Sequence, residues 1–328
     1  MNIELLNKLT TCFSPSGRED KIRELIKAEV EPYVTDVYTD AMGNLICHKK
    51  GPGKKLMLAA HMDEIGFMVT HIEDNGFLRF VNVGGISPFN CINRAVVFED
   101  GTVGVISYEN KEKAGSAGLS QMYIDIGAKD RAEAEKKVQI GSMAGYKGEF
   151  NVIGGCATSK SMDDRVGCYV LIEAIKAAKD SPNELFAVFT VQEELGLRGA
   201  KTSAFAVEPD MGFAIDVSMT GDTPESTFAS LSLGKGPGLK LKDASFIINP
   251  KARDFMLAAA RAAEIPYQLE AAAYGGTDAG AINLTRSGVP AGTISIPTRY
   301  IHSPQEVVDL SDVENSVLFV AKMIETAI

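Results

Sequence analysis

The sequence predicts an α/β fold: a mainly parallel central sheet covered by helices on both faces, interrupted by an inserted β-rich, barrel-like segment. Three observations carry this reading. Beyond Ser159, near-continuous apolar runs of strand length alternate with helical patterns, as in a sheet buried on both faces. From about Phe67 to Gly155 the texture changes to short alternating or apolar segments separated by turn residues. Finally, 328 residues with 45% hydrophobic content are enough for about two domains with a buried core.

The elements follow in order. SGRE is a capping-box pattern (Ser16, then Glu19), and Ile22, Leu25, Ile26 and Val30 follow at helical spacing, so a helix is expected to open at Ser16. Asp40 to His48 and Lys55 to His61 read as strands, the second holding the apolar run LMLAAH. FMVTHI, FLRFVNV, AVVFED, TVGVISY, MYIDIG and EFNVIGG then form a small antiparallel barrel or sandwich, broken by one helix around Arg131 to Val138. Next, Val166, Val170, Leu171, Ala174, Ile175 and Ala178 share one helical stripe. ELFAVFTV and MGFAIDV are strands, Lys251 to Ala263 is a helix, and the glycine-rich AYGGTDAGAINL precedes the strand AGTISI. A helix from Val313 to Ile328 closes the chain. The simplest organisation is nested, with residues 1–66 and 159–328 forming the α/β domain and 67–158 inserted.

Charge and composition narrow the function. There are 33 Lys+Arg against 43 Asp+Glu, a formal net charge of -10, and no basic cluster, so nucleic acid is not an expected partner. MNIELLNKLTTCF places Glu4 where a signal peptide wants positive charge, and no window approaches about 18 apolar residues, so a cytoplasmic location without a membrane partner is expected. Cys12, Cys47, Cys91, Cys156 and Cys168 are odd in number, dispersed and without a CxxC pair, and read as reduced, mostly buried residues. His48, His61, His71 and His302 are the only histidines, and the neighbours of His48 and His71 suggest surface or barrel positions.

In open α/β sheets, sites form beyond the C-terminal ends of strands. Here LMLAA ends in His61-Met62-Asp63, LFAVFTV in Gln192-Glu193-Glu194 and GFAI in Asp216; TISI leads to His302, and Asp163-Asp164 stands where a helix begins. His61 and Asp63 lie two apart on a strand, so the carboxylate can approach the imidazole and fix its tautomer. Each piece alone has a plainer reading: a solvated strand end, an acidic turn at Glu193-Glu194, a helix cap at Asp163-Asp164. Asp216 is harder to set aside, because an unpaired carboxylate within an apolar strand is costly. Together, two His and three or more carboxylates make a mixed N/O site suited to Zn²⁺, Co²⁺ or Mn²⁺, with room for two ions about 3.5–4 Å apart.

At these residues the sequence closely resembles the glutamyl and deblocking aminopeptidase family of dimetal exopeptidases, which includes the tetrahedral aminopeptidases. The likeness runs over essentially the whole chain, through FSPSGRED, DAMGN, AAHMDEIGFMV, YIDIGAKD, SMDDRVGC, VQEELGLRGA, AIDVS, LGKGPG, YGGTDAGAINLTRSGVPAG and IPTRYIHSP. The resemblance implies a three-layer metallopeptidase domain whose inserted domain helps subunits associate, as dimers and as hollow tetrahedral dodecamers. It makes His61 and Asp216 ligands of one metal, Glu194 and His302 ligands of the other, and Asp163 the bridge. Glu193 becomes the general base and Asp63 the residue that orients His61. The implied substrates are short peptides losing their N-terminal residue. Asn283 and Arg286, in the glycine-rich loop, stand where the family borders its substrate and leave the side-chain preference open. Some relatives carry an endoglucanase label, but the acidic groups are better used as metal ligands, and the absence of Trp removes the favoured stacking platform for sugars. A non-catalytic peptide-binding assembly protein is the third reading, which the intact ligand positions and Glu193 disfavour.

Overall fold

A computed structural model of the chain describes residues 1–109, 118–226 and 231–328. Helices α1 (Ile3–Thr11) and α2 (Asp20–Val30) precede strands β1 (Asp36–Thr39), β2 (Leu45–Lys49) and β3 (Lys55–His61). The chain then builds β4 (Gly66–Ile72), β5 (Leu78–Val83), α3 (Pro88–Cys91), β6 (Ala95–Phe98), β7 (Val103–Tyr108), β8 (Met122–Asp125), α4 (Arg131–Ala134) and β9 (Met143–Tyr146). It returns through β10 (Asn151–Ile153) and β11 (Cys156–Ser159) to α5 (Met162–Ala177), β12 (Glu184–Thr190), α6 (Arg198–Val207) and β13 (Met211–Met219). Last come β14 (Gly238–Lys242), α7 (Pro250–Ala262), β15 (Gln268–Ala271), α8 (Asp278–Asn283), β16 (Ala291–Arg299), β17 (Glu306–Asp309) and α9 (Leu310–Ile324).

Eleven strands form one mixed sheet in the order β1-β2-β12-β3-β13-β16-β17-β11-β10, with β14 and β15 attached beside β16. The central four, β12-β3-β13-β16, are parallel, and antiparallel strands flank them. Burial on both faces explains why these strands read as unbroken apolar runs. Leu56, Leu58 and Ala60 of β3 point into the core shared with α1, α2, α5, α7 and α9, while Met57 and Ala59 point to α6 and α8. Each such Leu contributes about 1.5–3 kcal/mol by leaving water. The result is three layers. Strands β4-β5-β8-β7-β6-β9 close into a separate barrel around Phe67, Phe80 and Tyr146, whose rings meet edge to face at 5.2 Å. Closure leaves the barrel no open edge.

Several local expectations are corrected. The first predicted helix opens at Asp20, not Ser16, because the Ser16 hydroxyl donates to Asp63 Oδ2 (2.6 Å) instead of capping. Asp40 to His48 is a turn and a strand rather than one strand: the Asp40 carboxylate accepts the N–H groups of Met42, Gly43 and Asn44 at 2.9–3.0 Å, and Gly43 takes φ 103°. EFNVIGG supplies β10, which pairs with β11 in the large sheet and not in the barrel, where β9 is the sixth strand. The helix around Arg131 is only α4, and the structure adds α1, α3, α6, α8, β9, β14, β15 and β17, which the sequence pattern does not announce. All five cysteines are free, and Cys47, Cys91 and Cys168 are buried. Among the described residues no helix is long and apolar enough to cross a membrane.

Candidate metal centre

The parallel strands deliver the site to one rim. His61 ends β3, opposite Thr190 at the end of β12. Just beyond, Gln192 turns the chain with φ 53° and presents Glu193 and Glu194. Ala214 pairs with Ala59, so Asp216 and His61 each follow by two residues on neighbouring strands. Asp216 lies within β13 rather than at its end, since the strand runs on to Met219. His302 follows β16 with φ 61°. Asp163 and Asp164 have non-helical backbones (ψ 110° and 38°), so the regular helix begins after them.

Asp163 joins the two imidazoles: its Oδ1 is 2.9 Å from His61 Nε2 and its Oδ2 3.2 Å from His302 Nε2. This excludes the plain capping role for that residue. Glu194 Oε1 stands 3.2 Å from His302 Nε2, and Asp216 Oδ1 4.0 Å from His61 Nε2. Two groupings among the described residues could hold a metal ion, His61 with Asp163 and Glu194, and His61 with Asp164 and Asp216, with ligand atoms within 4.8 Å of one another. Asp164 is already engaged, its Oδ2 accepting the His61 N–H (3.2 Å) and its Oδ1 the Gly167 N–H (3.1 Å).

Asp63 organises the rim from below. Fully buried, it accepts the N–H groups of Glu193 (2.9 Å) and Glu194 (3.2 Å) and the Ser16 hydroxyl, and its Oδ1 lies 3.4 Å from His61 Nδ1. One carboxylate thus ties the β3 end to the turn after β12. Asn283 and Arg286 do not reach the rim. Asn283 donates to Val289 O, and Arg286 lies on the Phe205 ring and pairs with Glu208. His48 stacks on Phe186.

Three acidic residues that sequence reading did not single out are drawn into the same neighbourhood. Glu306 and Asp278 are buried beside the rim, and Glu64 forms a buried pair with Lys160. Asp278 and Glu306 are isolated acids and Glu64 stands in the shadow of Asp63, patterns indistinguishable in sequence from a solvated turn. Burial, with Asp163 nearby, raises the Glu306 carboxyl, while the N–H groups of Asp163 and His302 favour its ionised form, and burial pushes Asp278 up to about 6. Burial likewise raises Asp216 to about 8 and holds Glu193 well above the usual carboxylate range, reinforced by Asp216, Asp278 and Glu194. Although burial opposes it, Asp163 and Asp63 keep the His61 imidazole well above its ordinary range. The buried carboxylates Asp163, Glu194 and Asp216 outnumber the two imidazoles that face them, His61 and His302, and burial without further compensation is costly. A donor set of imidazole and carboxylate with no thiolate fits divalent cations.

A three-layer sheet with an imidazole–carboxylate centre at its C-terminal rim defines a hydrolase of the metallopeptidase class. Within it, the chain belongs to the M42 glutamyl aminopeptidase family, whose sequence profile matches residues 43–319, and M42 peptidases are metal-dependent aminopeptidases. It is 50% identical over 322 residues to a provisionally named aminopeptidase of Acetivibrio thermocellus, covering 98% of each chain. It is 35% identical over 336 residues to a lysyl aminopeptidase of Pyrococcus furiosus, covering 98% of this chain and 96% of that one. Among solved structures, an aminopeptidase of the archaeon Desulfurococcus kamchatkensis is 41% identical, with a TM-score of 0.95 over 99% of this chain and 94% of its own. A peptidase of Pyrococcus horikoshii that can assemble into a tetrahedron or a large octahedral shell is 34% identical, with a TM-score of 0.89 over 98% of both chains.

Proposed function

We propose that the chain removes N-terminal residues from short peptides with two divalent cations, Zn²⁺ or Co²⁺ first and Mn²⁺ as a further candidate. The observation that carries this is Asp163, which offers one oxygen toward His61 and the other toward His302. His61 and Asp216 would hold one cation, Glu194 and His302 the other, with Asp163 shared between them. Bound there, the cations supply a water of lowered pKa and positive charge for the scissile carbonyl oxygen. Glu193, at the turn after β12, would hold the proton given up on attack and return it to the leaving amine nitrogen, the part of a general base and acid. Asp63 keeps the His61 ring and the Glu193-Glu194 turn in register.

The barrel reads as an association module, and a dimer, with the tetrahedral dodecamer as its larger form, is the assembly we infer for a cytoplasmic enzyme. Dividing the chain into residues 1–66 with 159–328 and an insertion at 67–158 follows the two cores, except that β10 and β11 pair with the sheet. Glu193→Gln tests the mechanism. Assayed on a panel of aminoacyl p-nitroanilides after refilling with each metal, it should lose about 10²–10⁴-fold in kcat with unchanged metal content. Full activity in this variant would overturn the role of Glu193.

A further inference from the structure

We propose that Glu306 is a positioning residue that locks the backbones of Asp163 and His302 to one another; the inference rests on the two-cation reading above. Glu306 is the first residue of β17, 2% exposed, and sits opposite Ser159 at the end of β11. Its Oε2 accepts the Asp163 N–H at 2.9 Å and its Oε1 accepts the His302 N–H at 2.7 Å. The side chains of the same two residues meet at the rim, Asp163 Oδ2 lying 3.2 Å from His302 Nε2. The contacts close a ring, with backbones joined through Glu306 on one side and side chains facing each other on the other.

Neither backbone is held by a regular ladder at this point. Asp163 precedes the regular turns of α5 with ψ 110°, and His302 takes φ 61°, a region that costs a residue with a Cβ. The carboxylate therefore supplies what a helix or sheet would otherwise specify. Among the described residues Glu306 makes no ion pair with Lys or Arg, so charge pairing does not account for its burial. Its two oxygens meet two N–H donors, and only a carboxylate does this. A Gln at this position keeps one acceptor and turns an NH₂ toward the other donor. An Asp has the same pair of oxygens but, one methylene shorter, holds them too far back to meet both N–H groups from the same backbone.

The test uses the full-length protein, stripped with chelator and titrated with Co²⁺ by calorimetry. Glu306→Gln should weaken Co²⁺ binding in at least one step by about 10–100-fold, the usual cost of removing a partner that orients a ligand. Its kcat should fall in parallel while KM stays within about twofold. In the cation-free protein, hydrogen exchange read by mass spectrometry should quicken in the peptides containing Asp163 and His302 and stay unchanged elsewhere. Glu306→Asp should move every readout in the same direction, and it decides the matter if the Gln variant does not fold. Wild-type Co²⁺ affinity in the variants, or unchanged exchange at those two peptides, would overturn the proposal. A wild type that takes up fewer than two Co²⁺ would instead overturn the two-cation reading, and the exchange measurement, made without metal, then still judges Glu306.

Discussion

Single carboxylates in this molecule do work that their sequence neighbours do not announce. Glu19 shows it. A helix-capping role is what the SGRE pattern suggests, yet its Oε1 accepts the N–H groups of Gly17 (2.7 Å) and Gln192 (3.3 Å), tying the start of α2 to the turn that carries Glu193. Burial raises its pKa to about 6, against which those N–H groups only partly compensate. A carboxyl whose folded pKa is raised adds stability below its unfolded pKa of about 4.3, and that addition is lost as the pH climbs through about 6. The melting temperature of wild type relative to Glu19→Gln should therefore fall between pH 4.5 and 7.5, by the equivalent of about 2 kcal/mol. A gap that does not change with pH would show that burial leaves Glu19 untouched. The rim residues were easier to read, because His61, Glu193, Glu194 and His302 follow apolar runs and stand where strands end. Glu64, Asp278 and Glu306 were not, because only tertiary contacts separate a buried acid from a solvated one.

Among elements, the connection from β3 to β4 is the most exacting. Glu64 lies on it, and its carboxylate receives the Ser14 N–H at 2.8 Å, the Ser161 hydroxyl and the Lys160 ammonium. Lys160 is itself buried, and desolvation lowers its pKa despite the attraction of Glu64. The pair binds the N-terminal segment, the entry to the barrel and the approach to α5. Lys160→Met should cost about 3–5 kcal/mol in denaturant melts, since Glu64 is left buried without its ammonium, and Glu64→Gln added to it should recover part of the loss. Equal stability of Lys160→Met and wild type would mean that Arg165, 3.9 Å from Glu64, already satisfies it. The long apolar strands and helices α5, α7 and α9 were legible because their periodicity is strong. The hairpin at Asp40 was not, because its polar turn is made by a side chain, and neither were the short strands β14, β15 and β17.

For the whole molecule, the nested arrangement was visible as a change of texture along the chain, while its exit was blurred by β10 and β11, short strands that look like their barrel neighbours but pair with the large sheet. The nesting also has a temporal side. Every strand of the barrel comes from residues 66–146, whereas β3, at 55–61, finds its partners only in β12 at 184–190 and β13 at 211–219. Pairings so distant along the chain form slowly. In refolding pulsed with hydrogen exchange, barrel amides such as that of Ile106 should be protected before that of Leu58 in β3; simultaneous protection would show one cooperative unit. At synthesis rates of about 5–20 residues per second, the apolar β3 waits on the order of ten seconds after leaving the ribosome before either neighbour exists. The nascent chain's exposure to aggregation, and its demand for chaperones, should thus fall on the central strand that carries His61 rather than on the barrel.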